Sequence, residues 1–389
     1  MRLQRPSVRK EKRLCYGNAA VDIQHWEALR FIPFIHHSAA PGDEKKIRKP
    51  EKIGDFADKP ESGMNLSVLY KDKRQGVKMN KSKDSFGTDI EAVITSFNQG
   101  PMILEAVESL CAQTLLPQKI IIVDDGSTDE RSIRVLKDME QKPDLPIPIV
   151  IYYQENRGVS AARNAGIKKV RSSMALVLDG DDKLEPEYTE EVSRLLRDNP
   201  SMVAASSWMH TFGALDSIVC PDGGNINPFL SRNCCPATHI LRRDVFEQCG
   251  GYDESMRSGF EDWDFFLSML ETSSGSWIGI VNQPLIQYRT APASSNIKSM
   301  NKRMELMRFM IKKHVSSYHD HIVDALLGIE AIADARLHHW ENEVTHAISN
   351  HQEISRLSKE FLKSPTYGDG GMASAVRIVS IGENFPPFL

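Results

Sequence analysis

Three aspartates fall within four residues at Asp179-Gly180-Asp181-Asp182, directly after the apolar run Ala175–Leu178. Carboxylates this close together repel one another, so the cluster favours a cation among them. The ligands are hard oxygens with no His or Cys beside them, which selects Mg²⁺ or Mn²⁺ over zinc. Such a metal can stabilise a diphosphate leaving group without a proton. The alternative interpretation is an acidic turn that caps the helix beginning near Pro186.

A second acidic pair, Asp124-Asp125, ends a strand-like run of Ile and Val and is followed by Gly126 and Ser127. A carboxylate here can accept a hydrogen bond from a base N–H or a ribose hydroxyl, and Gly126 permits a tight turn. Ser127 with Glu130 also forms a capping-box pattern for the next helix, which would make the turn purely structural. Both interpretations stay open.

The segment Gly158–Asn164 opens a predicted helix with small residues and carries Arg163 about one turn in. A helix start favours phosphate, and an arginine there is a candidate contact to a nucleotide or diphosphate. Packing of a small-residue helix against a sheet explains the same segment equally well.

Two further acids, Glu261 and Asp262, begin a helix that is anchored by large apolar residues. One interpretation is a general base that takes the proton of an acceptor hydroxyl. The other is that acids in a first turn simply complement the helix dipole. Trp263 can stack on a sugar ring or belong to the core.

Residues 89–200 alternate strands and helices, which predicts a doubly wound, mostly parallel α/β sheet with right-handed crossovers. Ligands in such sheets bind at the carboxyl ends of the strands, where all these polar clusters lie. The predicted strands are Ile90–Ser96, Lys119–Val123, Ile147–Tyr153 and Ala175–Leu178. The predicted helices include Pro101–Thr114 and Val159–Val170.

The rest of the chain is less regular. Strands are expected at Met202–Phe212, Ala237–Leu241, Trp277–Val281 and Leu285–Arg289, and a helix at Phe260–Leu270. Pro221–Pro236 is a long loop that can shape a substrate site. Helices are expected after Pro292, with one apolar face formed by Met304, Met307 and Ile311 and another by Ile322, Leu326, Ile329 and Ala333. Residues 364–389 are expected to form a loose tail.

The charge is divided unevenly along the 389 residues. Residues 1–85 contain 19 Lys and Arg against 11 Asp and Glu, whereas the remainder contains 29 against 41. A basic arm, expected to be flexible apart from a possible helix at Ile23–Phe34, therefore precedes an acidic body. Such an arm is either a solvated tail or attracted to anionic lipid or an acidic partner. Nucleic acid is disfavoured because the arm has little aromatic interleaving.

Several classes of protein are disfavoured. No apolar run approaches the roughly 18 residues that span a bilayer, and the N-terminus lacks a secretory signal, so a cytoplasmic protein is expected. The six cysteines form no CxxC pair and are interpreted as reduced thiols, with Cys234 and Cys235 as small buried residues. The dinucleotide fingerprint, the phosphate loop and the nucleophile elbow GxSxG are absent.

The order of the motifs resembles the catalytic domain of family 2 glycosyltransferases, which have the GT-A fold. The resemblance covers residues ~88–290 and rests on six segments in order. They are Val93–Asn98, Val123–Ser127, Asn156-Arg157-Gly158 with Ala162-Arg163-Asn164, Leu178–Asp182, Gly250–Glu254 and Glu261-Asp262-Trp263.

The resemblance implies a role for each matching residue. Thr95, Phe97 and Asp125 would line the base and ribose pocket, with Phe97 standing where Tyr is common in the family. Asp179 and Asp181 look like the two acids of the DxD motif, which forms the site for Mn²⁺ or Mg²⁺, with Asp181 the direct ligand and Asp179 the ribose or water-mediated contact. The nucleotide-sugar site would also include Arg163, Asp179 and Trp263. Asp262 looks like the catalytic base.

These features predict three regions: a basic N-terminal extension (1–87), a GT-A catalytic domain (88–290) and a helical C-terminal region with a loose tail (291–389). The expected function is metal-dependent, inverting transfer from a nucleotide diphosphate sugar, of UDP type, to a hydroxyl on a glycan, glycolipid or polysaccharide precursor. A peripheral location at the inner face of the membrane is compatible with the basic arm. The alternatives are a non-catalytic nucleotide-sugar-binding or scaffolding protein and a phosphate-ester hydrolase.

Overall fold

The structure is a computed structural model and describes residues 89–141, 145–291, 295–366 and 369–382. The basic arm, including the possible helix at Ile23–Phe34, lies outside the described residues. Among the helices that are described, none combines the length and apolar character needed to cross a membrane.

The first half of the described chain alternates strands and helices, as predicted. β1, β2 and β4 are buried runs of mostly Ile, Val, Leu and Ala, which is typical of parallel strands covered on both faces. The strands are β1 (Ile90–Ser96), β2 (Ile120–Asp124), β3 (Ile149–Tyr153), β4 (Met174–Asp179) and β5 (Lys183–Leu184). The helices are α1 (Met102–Cys111), α2 (Glu130–Glu140), α3 (Val159–Ile167) and α4 (Tyr188–Asp198).

The second half begins with strands and ends with helices. Its strands are β6 (Met202–Gly213), β7 (Ser217–Val219), β8 (His239–Arg242) and β9 (Trp277–Thr290). The helices among them are α5 (Ile226–Phe229), α6 (Arg243–Cys249) and α7 (Glu261–Leu270). The C-terminal helices are α8 (Ser295–Asn301), α9 (Arg303–Lys313), α10 (Val315–Asp320), α11 (Ile322–Ser349), α12 (Arg356–Lys363) and α13 (Gly371–Gly382).

The strands form one mixed sheet in the order β3-β2-β1-β4-β8-β6-β9-β5, with β7 paired to β6. β3, β2, β1 and β4 are parallel, so their carboxyl ends meet at one edge. Thr95 pairs with Asp179, and Ser96 pairs with Asp124, across neighbouring strands. β5 follows β4 after a short turn but pairs with β9, which closes the sheet around this edge. The α/β class predicted for the GT-A domain is confirmed.

The main core surrounds α7. Trp263, Phe265 and Phe266 are buried there, and the ring of Phe266 meets that of Phe229 edge-on at 6.1 Å. Cys234 and Cys235 are buried beside them, as predicted. Burial of aromatic rings on this scale is the main favourable term that fixes α7 against the sheet.

Two local expectations are wrong. The N-cap of α2 is Asp129, whose carboxylate accepts from the backbone N–H groups of Arg131 and Ser132. Ser127 therefore forms no capping box; it turns back and donates to Asp124 at 2.5 Å. The two strands expected between Trp277 and Arg289 are one strand, because β6 pairs with β9 along its whole length despite register shifts near Trp208.

The C-terminal region is helical, as predicted, but its faces differ. Met307 is buried on α9, whereas Met304 is 79% exposed. Ile322, Leu326 and Ile329 on α11 are 49%, 59% and 40% exposed, so the face predicted to be core is open. α13 also lies where a loose tail was expected.

Candidate active site

The turn after β4 places its three aspartates in different surroundings. Asp179, which is 26% exposed, accepts from Arg163 at 2.8 Å and from the hydroxyl of Thr95 at 3.2 Å. Asp182 is buried and accepts from the backbone N–H of Arg289 at 2.8 Å. Asp181 is half-buried, and its backbone carbonyl accepts from the Arg289 guanidinium at 2.9 Å. The carboxylate of Asp181 is therefore the one best placed to meet a ligand.

Gly180 makes this turn possible. Its N–H donates to the carbonyl of Thr95 at 3.0 Å. A Cβ atom at this position would lie 2.7 Å from that same carbonyl oxygen, which no side chain tolerates. The turn can therefore press against the end of β1 only with glycine between the two acids.

Two acids of the turn, Asp181 and Asp182, have raised pKa values. Burial raises the pKa of Asp181, and the neighbouring Asp179 carboxylate raises it further. Burial raises the pKa of Asp182 well above its ordinary value, with added repulsion from Asp179 and Asp181. Negative charge is therefore in excess here, and a bound cation would relieve it.

Arg163 is the buried centre of the site. Its side chain is 2% exposed, and it pairs with Asp179 at 2.8 Å and with Glu261 at 3.5 Å. Its guanidinium lies 5.4 Å from the ring centroid of Tyr252. Its guanidinium links the turn after β4 to the start of α7, and its predicted position near the nucleotide stays a prediction.

The start of α7 carries the predicted base. Asp262 is half-buried, and one of its oxygens accepts from the Asn233 side chain at 3.1 Å. Phe260, the N-cap of α7, has a left-handed backbone with φ 65°, a strained conformation for a bulky residue. Strain of this kind persists where the surroundings fix the backbone. Here the strained residue directly precedes Glu261, which pairs with Arg163.

Burial raises the pKa of both acids at this helix start. Burial, and then the charge of Asp262, raises the pKa of Glu261 to about 7. Burial also raises the pKa of Asp262, against the opposing field of Arg163. A carboxylate with a raised pKa is the stronger proton acceptor, which suits a general base.

Tyr288 on β9 lies within the electrostatic field of both acidic groups. Burial raises its pKa, and the carboxylates of Asp182, Asp179, Asp181 and Asp262 add to the rise. One phenol is therefore exposed to the field of both the turn after β4 and the start of α7.

The expected nucleotide pocket lies at the ends of β1 and β2. Phe97 is 46% exposed and offers an open ring, while Thr95 is buried against Asp179. Asp125 is buried and accepts from the Gln154 side chain at 2.7 Å and from the backbone N–H groups of Arg157 and Gly158 at 2.9 and 2.8 Å. Asp125 thus fixes the loop before α3 and keeps little capacity for a base or ribose.

Trp263 does not fit the sugar-stacking interpretation. Its side chain is buried in the main core, and its indole N–H donates to the carbonyl of Phe229 at 2.6 Å. The core interpretation, left open by the sequence, holds because the ring presents no free face to the crevice.

A divalent cation fits this site only with help from a substrate. Within the described residues, no group of three or more His, Cys, Asp or Glu side chains is arranged to hold a metal. Asp179 already pairs with Arg163, so Asp181 is the carboxylate of this turn that remains available to bind a cation. Mg²⁺ is commonly held by one or two carboxylates together with substrate phosphates and water, so the residues present are compatible with it.

Four supporting residues received no role of their own from the sequence patterns, and Glu261 was named there only together with Asp262. Tyr252 backs Arg163, Glu261 pairs with it, Asn233 holds Asp262, and Arg289 holds the turn after β4. Tyr252 and Glu261 stand in recognised segments and could have been assigned. Asn233 and Arg289 are brought in by tertiary packing, and no local pattern marks them.

Residues 91–250 match the family model described as Glycosyl transferase family 2. The chain is 27% identical over 186 residues to the uncharacterized glycosyltransferase YwdF of Bacillus subtilis, covering 46% of this chain and 66% of that protein. It is 38% identical over 220 residues to the uncharacterized glycosyltransferase EpsJ of the same organism, covering 53% of this chain and 62% of that protein. The chain thus spans about two thirds of these relatives.

Among solved structures, S. aureus TarS 1-349 in complex with UDP-GlcNAc is similar at a TM-score of 0.48 with 14% identity. The similarity covers 76% of this chain and 81% of that one. The family match across β1 to α6 and the curated relatives agree with the family resemblance predicted from the ordered motifs at the strand ends: residues 91–250 of the chain match glycosyltransferase family 2.

Proposed function

We propose that the protein is an inverting glycosyltransferase that uses a nucleotide diphosphate sugar, of UDP type, and a hydroxyl acceptor. The observation that carries the proposal is that Arg163 pairs with both Asp179 after β4 and Glu261 beside Asp262. A candidate donor-binding acid and the helix start that carries the candidate base are thereby held next to one buried cation, which places donor and base at one site.

The donor would lie along the ends of β1, β2 and β4. The open ring of Phe97 supports stacking of the base, and Asp181 supports a metal near the diphosphate. When bound there, Mn²⁺ or Mg²⁺ would offset the negative charge that develops on the leaving diphosphate. Asp179 and Thr95 would orient the turn that presents Asp181.

Asp262 would act on the acceptor. The acceptor oxygen attacks the anomeric carbon as the bond from that carbon to the diphosphate oxygen breaks, and the acceptor proton passes to the Asp262 carboxylate. Attack opposite to the leaving group inverts the configuration. The hydrogen bond from Asn233 fixes the carboxylate, and holding both reactants in line supplies much of the rate.

The acceptor we propose is a hydroxyl of a glycan, a glycolipid or a polysaccharide precursor. Support comes from the loop Pro221–Pro236, which contributes Asn233 beside the proposed base and carries α5. Because this loop contacts the proposed base through Asn233, its residues would select among acceptors.

The test is a panel of nucleotide sugars in a thermal-shift assay with Mn²⁺, followed by measurement of UDP release. A true donor should raise the melting temperature, because it binds only the folded state. Chelation by EDTA, or the change Asp181→Ala, should remove that shift. Equal binding of UDP with EDTA would contradict the metal role. Binding without any UDP release would favour the non-catalytic alternative, and phosphate release from simple esters the hydrolase.

A further inference from the structure

The junction between α9 and α10 places two basic side chains, Lys313 and His314, against the underside of α7. The His314 side chain is 2% exposed, and that of Lys313 is 32% exposed. Both lie beyond residues 91–250, the part of the chain that matches the family. Neither residue belongs to a motif at the strand ends.

These two side chains meet three carboxylates. The Lys313 amine lies 2.8 Å from Asp253 and 2.7 Å from Asp264. The imidazole of His314 lies 3.1 Å from Asp264 through Nε2 and 2.9 Å from Glu271 through Nδ1. We call these five residues the α7 clamp.

The clamp contacts α7, the helix that carries the proposed base, at both of its ends. Asp264 lies in the first turn of α7, two residues after Asp262, and its backbone N–H donates to the carbonyl of Phe260 at 2.9 Å. Glu271 caps the other end of α7. A rigid α7 fixes where the Asp262 carboxylate points.

The clamp also reaches the other wall of the site. Asp253 follows Tyr252, whose ring stacks on Phe265 of α7 with centroids 3.9 Å apart and lies against Arg163. Lys313 therefore ties the loop that supports Arg163 to the helix that carries Asp262. Movement of either one would change the distance between the proposed donor and base.

The buried carboxylate of Asp264 needs the positive charges of Lys313 and His314 for its stability. The Asp264 side chain is only 1% exposed, and a buried carboxylate without a cation is strongly unfavourable. Burial lowers the pKa of His314, but hydrogen bonds to Asp264 and Glu271 outweigh this effect and raise the pKa to about 9. His314 is thus cationic at neutral pH and holds both acids at once.

We infer that Lys313 and His314 are positioning residues, which place the Asp262 base from a region outside the family match. The inference rests on the proposed function. It assigns the C-terminal helices a part in the reaction: they set the geometry of proton transfer and leave the donor pocket untouched.

The experiment compares His314→Gln and Lys313→Met with the full-length protein. UDP release is measured with UDP-glucose, UDP-galactose and UDP-N-acetylglucosamine, and UDP affinity is measured separately with Mn²⁺ present. Each variant should lower kcat by about tenfold or more, since small displacements of a catalytic group are costly. UDP affinity should stay within about twofold, because the side chains of Lys313 and His314 bond to Asp253, Asp264 and Glu271 and to none of the residues at the ends of β1, β2 and β4.

Two controls separate positioning from general damage. Lys312→Met removes the exposed neighbouring charge and should leave kcat unchanged. Lys313→Arg keeps a cation between Asp253 and Asp264 and should recover much of the rate. Lys313 is partly exposed, so its variants keep the test meaningful even where His314→Gln folds poorly.

Unchanged kcat in both variants would overturn the inference, as would a parallel loss of UDP affinity and kcat, which would indicate a purely structural role. Failure of the unaltered protein to release UDP from any donor would instead refute the proposed function, and the inference with it. A fall in kcat alone supports the clamp.

Discussion

The Arg163 side chain is buried, so water cannot replace a carboxylate partner that is removed. It is 2% exposed, and its Nε lies buried without a hydrogen-bond partner, while its terminal nitrogens hold Asp179 and Glu261. Removing one member of a buried pair leaves an uncompensated charge and costs more than the pair itself contributes. At the scale of single residues, the site depends on this charge balance more than on any one acid.

Replacing Arg163 with Met should therefore destabilise the protein by about 3–5 kcal/mol. The double change Arg163→Met with Asp179→Asn should recover part of that loss, because it removes one of the stranded charges. Thermal unfolding measures both. The matched control is Arg157→Met, whose partner Glu254 is accessible, with side chains 60% and 34% exposed, so the change should cost no more than about 1 kcal/mol. Equal melting temperatures for the Arg163 and Arg157 variants would contradict this.

Replacing Asp262 with Asn should abolish the base while keeping the fold. The amide oxygen can still accept from the Trp263 N–H, as the carboxylate does at 2.8 Å. UDP release should fall by about 10²–10⁴-fold, the usual contribution of a general base, with UDP affinity unchanged. Steady-state kinetics and UDP titration measure the two effects. Turnover at the normal rate would exclude Asp262 as the base.

At the scale of helices and strands, sequence patterns succeed where a residue's neighbours along the chain determine its position. β1 has the predicted bounds because its mostly apolar segment, Ile90–Ser96, begins directly after the charged residue Asp89. The α2 cap was wrong because Asp129 lies closer to the helix start than Ser127. Periodicity also identified an apolar face on α11 but could not say whether that face is covered, since its burial depends on distant parts of the chain.

The α7 clamp should make stability depend on pH in a defined window. The pKa of His314 is raised from 6.5 to about 9, so its contribution is fully present below pH 6.5 and is lost as the pH rises through 9. The pKa of Asp253 is lowered from 3.8 to about 2, despite some burial, by hydrogen bonds from Lys313 and Ser255, so its contribution disappears in acid. The shift at His314 corresponds to about 3 kcal/mol.

The measurement is the melting temperature of the unaltered protein and of His314→Gln between pH 5.5 and 9.5, a range chosen from these shifts. The two should differ most below pH 6.5 and converge as the pH approaches 9. Lys313, Asp264 and Glu271 face His314 directly, and Asp320 and His321 line the cavity beside it. A difference that grows with pH would contradict a cationic His314.

At the scale of the whole molecule, basic and acidic residues are unevenly distributed along the sequence. Residues 1–85 carry 19 basic and 11 acidic residues, whereas the acids of the site belong to the net acidic remainder. A basic segment next to a glycosyltransferase domain suits attraction to the anionic surface in which glycolipid acceptors are anchored. We propose that the protein contacts the inner face of the membrane in this way.

The full-length protein should therefore sediment with vesicles that contain an anionic phospholipid, and a chain that begins at Ser85 should sediment much less. Added salt should weaken the interaction, because screening at 0.15 M extends over about 8 Å. Vesicles of phosphatidylcholine alone are the control. Equal sedimentation of the long and short chains would show that the basic segment is not the membrane contact.

The position of the proposed base beyond the matched segment has a consequence for protein engineering. The family match ends at residue 250, whereas Asp262 and the basic pair that steadies its helix follow it. A chimera that exchanges only residues 91–250 with a relative would combine one protein's donor pocket with another's base and support. We therefore expect that a functional exchange must include the whole segment from β1 through α10. A chimera with a junction inside this segment should bind nucleotide but have a low kcat.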